Sequence, residues 1–255
     1  MELDKILKGL SVAVCTLALV TGCAATKTAN SSNAGLKEEQ PLYAASPEWV
    51  AKLGEKNKAS QLFVVAAIGQ TTAYVSMHEK TADGVWRQII STPGFIGKYG
   101  IGKIKEGDAK TPTGTFHFNY AFGIADDPGC TAFDYKKVDD NDYWSGDTRK
   151  GYKYNQMVSI SDYPDLNKDD SEHLIDYLFQ YQYALNISYN DTGVPGLGSA
   201  IFLHCFGDQK PYTGGCVAIP RNYMETVMKT VHKDCVVVID SLANLSPELH
   251  KKWNL

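Results

Sequence analysis

The sequence is short of arginine and has no excess of positive charge. Arg87, Arg149 and Arg221 are the only arginines, the formal net charge is -4, and the isoelectric point lies near 5.9. Without a basic field, binding to nucleic acid by counterion release has no basis, and no nucleic-acid partner is expected. No Cys-x-x-Cys and no His-x-x-x-His spacing occurs among the six cysteines and six histidines, so the pattern offers no zinc site and no metal or cofactor is expected. No apolar run reaches the ~20 residues of a membrane-spanning helix, and no internal repeat is present. What remains, with 44% hydrophobic and 21% charged residues, is ordinary globular composition. The fifteen tyrosines and four tryptophans are the kind of residue that fills cores and need no functional role.

The N-terminal region reads as a processing signal. Residues 6–20 form an apolar run broken by Lys8 and Gly9, of a length that suits a signal-peptide core, although Glu2 and Asp4 offset Lys5 and Lys8 ahead of it. The run ends in Leu19-Val20-Thr21-Gly22-Cys23, which resembles the lipobox of bacterial lipoproteins. The resemblance implies a signal peptide over 1–22, cleavage after Gly22, and a diacylglycerol on Cys23 that anchors the protein to the membrane from an extracytoplasmic position. The other reading is a buried N-terminal helix with a stray cysteine. Residues 23–46 are rich in Ala, Thr, Lys, Asn, Ser and Glu and poor in large apolar side chains, the composition of a flexible tether. Such a linker holds its cargo on the order of 25 Å from the anchor.

From residue 47 the pattern is that of a β-rich domain, expected to end near 241 with a short tail over 242–255. Strands are predicted at 62–68, 73–79 and 85–91, joined by hairpin turns at Gly69-Gln70 and Ala82-Asp83-Gly84, and further strands at 115–122, 156–161, 183–189, 199–204 and 235–239. Helices are predicted at 172–180 and, after Pro220, at 221–231. Residues 126–153 are acidic and aromatic without a clear period, and read as a surface insertion that lines or covers a groove. The expectation is a mainly β fold, a sandwich or twisted sheet with one or two packed helices.

The residues able to carry chemistry lie in Ser199-Ala-Ile-Phe-Leu-His204-Cys-Phe-Gly207 and Thr213-Gly-Gly-Cys216-Val-Ala-Ile-Pro220, with Cys216 twelve positions after His204. A strand ending in His, a loop, and a Gly-Gly-Cys turn can set an imidazole beside a thiol, lowering the thiol pKa toward a reactive thiolate. Gly214 and Gly215 keep the approach open and leave backbone N–H groups for an oxyanion, with Gly215 and Cys216 as candidate donors. Thr213 is a candidate for orienting the turn or a polar group of the substrate. Alternation along the strand sets Phe202, His204 and Phe206 on one face and Ile201, Leu203 and Cys205 on the other, so Cys205 is expected in a packed layer. Cys130, Cys205 and Cys235 do not form a recognisable disulfide framework, and a pairing such as Cys205 with Cys235 stays open.

The stretch 201–220 resembles the active-site segment of the L,D-transpeptidase catalytic domain, the YkuD-like family. Gly107-Asp-Ala-Lys110-Thr111-Pro112-Thr113-Gly114-Thr115-Phe116 is similar to a second segment of the same family that leads into a strand beside the site. The resemblance covers roughly residues 61–240. It implies that Cys216 attacks the third-residue carbonyl of a peptidoglycan tetrapeptide stem, with His204 as base, and that a neighbouring stem resolves the thioester into a 3→3 cross-link. Gly214 stands where many members carry His, and no Arg follows Cys216 before Arg221, which makes Arg221 the nearest candidate for a substrate carboxylate. A carboxypeptidase of the same fold, a sortase-type transpeptidase and an inactive wall-binding lipoprotein are the alternatives, and the Lys-Thr-Pro segment argues against the sortase.

Overall fold

Residues 44–208 and 210–255 are described in the computed structural model of the chain; the expected signal peptide, the lipidation site Cys23 and residues 24–43 of the expected tether lie outside them. Ala44 and Ser46, given to the tether from sequence, already run along the domain: Gln88 N–H donates to Ala44 O at 2.8 Å and Ser46 N–H to Trp86 O at 3.0 Å.

Helix α1 (Glu48–Asn57) precedes three consecutive antiparallel strands, β1 (Gln61–Ala67), β2 (Thr72–Lys80) and β3 (Trp86–Phe95), in the hairpin order the turn signals predict. Strand β4 (Gly114–Gly123) leads into β5 (Tyr135–Lys137), β6 (Asp142–Trp144), β7 (Met157–Ser159) and β8 (Glu172–His173). Then come β9 (Ala184–Ile187), β10 (Phe202–Cys205) and β11 (Val217–Ile219), helix α2 (Arg221–Thr230), β12 (Val236–Ser241), and the short helices α3 (Leu242–Leu245) and α4 (Pro247–Trp253). The main sheet runs β12-β1-β2-β3-β11-β10-β9-β4-β5, and β12 also pairs with β4, so the sheet closes on itself as a barrel. The fold is therefore mainly β with few helices, as expected. Closure removes the free edges of the strands that pair around it.

Strand β1 is apolar from Leu62 onward because both of its faces are covered. Phe63 and Val65 point into the barrel, while Leu62 and Val64 pack outside with Val50 of α1, Trp86, Val236 and Val238. Helix α2 starts after Pro220, whose fixed φ suits a helix entrance, and buries Met224, Val227 and Met228, at helical spacing, in the barrel core.

Two elements differ from the sequence-based expectation. Residues 172–180 do not form a helix: Glu172–His173 is strand β8, followed by 3-10 turns at Leu174–Asp176 and Gln180–Gln182. The apolar residues there serve different neighbours, Leu174 and Tyr181 joining one cluster while Leu178 and Phe179 remain exposed, so no single helical face exists. Residues 126–153 are also ordered. They supply β5 to the main sheet and β6 to a separate β7-β6-β8 sheet, and Arg149 clamps the buried Asp147 at 2.7 Å.

The missed helix α1 contacts the barrel through a glycine. A Cβ on Gly54 would lie 2.2 Å from Cζ2 of Trp86. Gly54→Ala should therefore destabilise the domain by about 1–3 kcal/mol, overriding the ~1 kcal/mol gain in helix propensity. Urea unfolding measures it, and an unchanged midpoint would mean that the Trp86 ring yields without strain.

Candidate active site

Two loops meet beneath the Gly-Gly-Cys turn. In the first, the shielded side chain of Asp108 accepts hydrogen bonds from the backbone N–H of Ile104 (2.8 Å), Lys105 (3.2 Å) and Lys110 (3.1 Å) and pairs with Lys103 Nζ at 3.0 Å. This fixes the run into Lys110-Thr111-Pro112. Thr111 Oγ1 then accepts from Gly97 N–H at 2.9 Å and donates to Cys216 O at 3.2 Å. In the second loop, Thr213 N–H donates to Ile96 O, Thr213 Oγ1 donates to Cys216 O at 2.7 Å, and the same hydroxyl accepts from Gly215 N–H at 3.1 Å. Thr213 thus orients the turn. Gly215 sits at φ +147°, and a Cβ there would come within 2.9 Å of Lys110 O. Glycine is required at 215 because the first loop passes against it, whereas a Cβ at Gly214 would meet nothing within 4 Å.

Strand β11 lies parallel to β10, with Leu203 opposite Val217 and His204 opposite Ala218. This sets the Cys216 thiol beside Phe202, whose N–H donates to Sγ at 3.3 Å, and on the side of the sheet that carries His204. Sγ donates in turn to Ala200 O at 3.1 Å. Ala200 holds a left-handed φ of +53°, and its N–H donates to Asn155 Oδ1, which also accepts from Trp144 Nε1. His204 is oriented from behind: Nδ1 bonds Cys205 O at 2.7 Å. That contact selects the tautomer with Nδ1–H donating to the carbonyl, leaving the Nε2 lone pair available. Sequence gave no group for this role, since any backbone carbonyl can fill it.

Cys216 and His204 line one cavity of about 810 Å³ together with Thr213 and Gly214. Their electrostatics correct the expectation of a thiolate at rest. Burial pushes the Cys216 thiol up to about 12, reinforced by the Glu172 carboxylate, and burial pushes His204 down to about 4 against the contrary pull of the Cys205 carbonyl. Among the described residues His204 Nε2 makes no hydrogen bond and Sγ donates to Ala200 instead, so the resting pair is neutral.

The strand alternation holds for Cys205, which is buried with Ile201 and Leu203 in the barrel core while Phe202 packs in the cluster that contains Cys216. Phe206 lies past the end of β10 and stacks on Phe95 rather than lining the cavity. Arg221 does not line the cavity either. Its guanidinium lies over the Tyr183 ring at 5.3 Å and near Glu225 at 3.4 Å, because the first turn of α2 faces the opposite side of the sheet. The four described cysteines, Cys130, Cys205, Cys216 and Cys235, are all free thiols. Among the described residues no group of three or more His, Cys, Asp and Glu is arranged to hold a metal ion, and no helix is long and apolar enough to cross a membrane.

The cavity wall opposite β10 contains residues that sequence reasoning missed: Trp144, Glu172, Tyr177 and Tyr181. Trp144 comes from the insertion, Glu172 and Tyr177 from the segment read as a helix, and Tyr181 from just beyond it, and no motif marks any of them as site residues. Tyr181 stands edge-on to His204, ring centroids 5.5 Å apart.

The neutral pair predicts a definite alkylation profile. The iodoacetamide labelling rate of Cys216 should keep climbing with pH beyond pH 9, without the plateau near neutrality that a preformed thiolate–imidazolium pair would give. Cys216 should also label before Cys205, whose thiol burial pushes up to about 11 inside the core. Peptide mapping after brief labelling at several pH values checks both; a plateau below pH 8, or Cys205 labelled first, would contradict this arrangement.

Residues 57–239, more than half of the chain, match the L,D-transpeptidase catalytic domain family, YkuD. No curated protein matches the chain. Among solved structures, L,D-transpeptidase 1 of Mycobacterium tuberculosis is 10% identical over 71% of this chain and 62% of its own, with a TM-score of 0.31. An L,D-transpeptidase from Mycobacterium smegmatis is 14% identical over 71% of this chain and 59% of its own, with a TM-score of 0.33. The chain therefore spans about three-fifths of the length of these two proteins. The family match takes in both motif loops, the strand that carries His204 and the turn that carries Cys216, and the chain belongs to the YkuD family of L,D-transpeptidase catalytic domains.

Proposed function

We propose that the protein is a peptidoglycan L,D-transpeptidase that forms 3→3 cross-links through a thioester on Cys216, with His204 as general base. The observation that carries this reading is the cavity that holds a histidine on β10 and a cysteine thiol at the entrance of its parallel neighbour β11, with the Cys216 carbonyl fixed by two threonine hydroxyls. Because the resting pair is uncharged, proton transfer accompanies attack. As Sγ leaves Ala200 O and bonds to the third-residue carbonyl of a tetrapeptide stem, its proton passes to His204 Nε2, and then to the departing D-alanine nitrogen. The side-chain amine of a neighbouring stem attacks the thioester and restores the thiol.

For the oxyanion, Cys216 N–H is the better donor, since among the described residues it donates to no oxygen, whereas Gly215 N–H is engaged by Thr213. Gly215 serves the site through its conformation and Gly214 by leaving space. The position of Arg221 against Tyr183 and Glu225 favours a helix-surface role over carboxylate binding. No cofactor enters the reaction.

Cys216→Ala should abolish acylation by a carbapenem, read by intact mass, and His204→Ala should slow it by roughly 10²- to 10⁴-fold. Acylation of the alanine variant of Cys216 at the wild-type rate would end the assignment. With stem peptides, cross-linked dimers are the expected product, and trimmed monomers alone would make the protein a carboxypeptidase.

The Leu-Val-Thr-Gly-Cys sequence supports an extracytoplasmic location with a lipid anchor on Cys23. Cys23→Ser should release the protein from the membrane fraction or leave it unprocessed, as membrane fractionation and the mass of the N-terminal peptide would record. Normal processing with unchanged membrane association would remove the anchor from the proposal.

A further inference from the structure

One carboxyl group in the cavity has no part in the acylation step. Glu172 Oε2 accepts a hydrogen bond from the Tyr181 hydroxyl at 2.6 Å, and the Tyr181 ring in turn packs against His204 and within the cluster that includes Cys216. Among the described residues Glu172 has no cationic partner and Oε1 accepts no hydrogen bond. Glu106 and Asp170, also in the wall, are engaged: Glu106 takes the hydroxyls of Tyr154 and Ser199, and Asp170 takes Asn167 Nδ2. A negative charge on Glu172 opposes a Cys216 thiolate, so the residue is unsuited to helping the first half of an acyl transfer. It suits the second half, in which a cationic amine must enter, lose a proton and attack.

We propose that Glu172 is the acceptor-side residue of this cavity, binding the ammonium group of the incoming stem and taking a proton from it so that an amine, rather than water, resolves the thioester. The proposal rests on the acyl-transfer reading. The ammonium gives one proton to Glu172 Oε1 and becomes a neutral amine. The amine lone pair forms the C–N bond, the C–S bond breaks, and the second proton leaves nitrogen through His204 to the Cys216 sulfur. Glu172 then releases its proton to water. Tyr181 holds the carboxyl group by Oε2 and leaves Oε1 facing the acceptor.

Burial pushes the Glu172 carboxyl up to about 7; the Tyr181 hydrogen bond lowers it and the Glu106 charge raises it. The other titratable groups around the cavity are Tyr177 after the 3-10 turn, Cys216 and His204 on the barrel side, Lys98 and Lys103 near the first motif loop, Asp208, Lys210 and Tyr212 on the loop after β10, Tyr154, and Asp170 ahead of β8. The carboxylate form is present above about pH 7. Aminolysis should therefore rise with pH to about 7 and then level off, because binding needs an ionised carboxyl and a protonated amine together. An amine acting without Glu172 would instead gain rate steadily up to its own pKa.

The test uses tetrapeptide stems with a free side-chain amine as donor and acceptor, and reads the ratio of cross-linked to hydrolysed product for the wild type, Glu172→Gln and Glu172→Asp. Carbapenem acylation is followed in parallel. Glu172→Gln should acylate at least as fast as the wild type, since a charge opposing the thiolate is gone. Its cross-link to hydrolysis ratio should fall by about 10²-fold and lose the levelling near pH 7, and Glu172→Asp should recover part of both. A glutamine variant with the wild-type ratio and pH profile would overturn the proposal. So would acylation and cross-linking falling together in both variants, which marks a structural role. A wild-type protein that carbapenem never acylates would overturn the acyl-transfer reading and this proposal with it.

Discussion

The backbone carbonyl of Cys216 accepts hydroxyl hydrogen bonds from both Thr213 and Thr111, and the rest of the site is arranged around that shared oxygen. One threonine comes from the turn that carries the cysteine and the other from a loop more than a hundred residues earlier in the chain. Each is held by its own backbone partner, Ile96 for Thr213 and Gly97 for Thr111, so the two residues that follow β3 form the common floor. The close pass of Lys110 O against Gly215 is the steric counterpart of this convergence, and it explains the glycine without any appeal to catalysis.

The barrel supplies the rigidity that this arrangement needs. Strands β10 and β11 are parallel neighbours inside a closed sheet, with one face in the core and the other toward the cavity. The two cysteines of the motif region, Cys205 and Cys216, consequently meet different environments. Cys205 fills the packed interior, yet its backbone carbonyl orients His204 from the strand itself, while Cys216 opens on the cavity.

Burial dominates the electrostatics. It favours the neutral form of both members of the pair, and the Glu172 charge works in the same direction on the thiol. Both groups are therefore uncharged at rest, with the Sγ proton directed at Ala200 O. The aromatic wall of Trp144, Tyr177 and Tyr181 provides the apolar surroundings that make this so, and it is contributed by the irregular segments rather than by the barrel.

The sequence by itself determined the β-rich class, most of the main-sheet strands, helix α2 and the motif residues His204, Thr213 and Cys216, because each leaves a local mark: alternation along a strand, Pro at a helix entrance, or residues at fixed spacing. It also determined that Cys205 turns away from Cys216, since side chains in a strand alternate. The tertiary structure decided what depends on distant partners. That 172–180 is a strand and turns followed from its pairing with Trp144 and its split between two environments. The engagement of Gly215 N–H by Thr213, the turning of Arg221 toward Tyr183 and the carbonyl behind His204 are backbone or packing events with no residue signature. The protonation of the Cys216 and His204 pair was settled last, because it is set by desolvation, which the chain acquires only when residues remote in sequence close around the site.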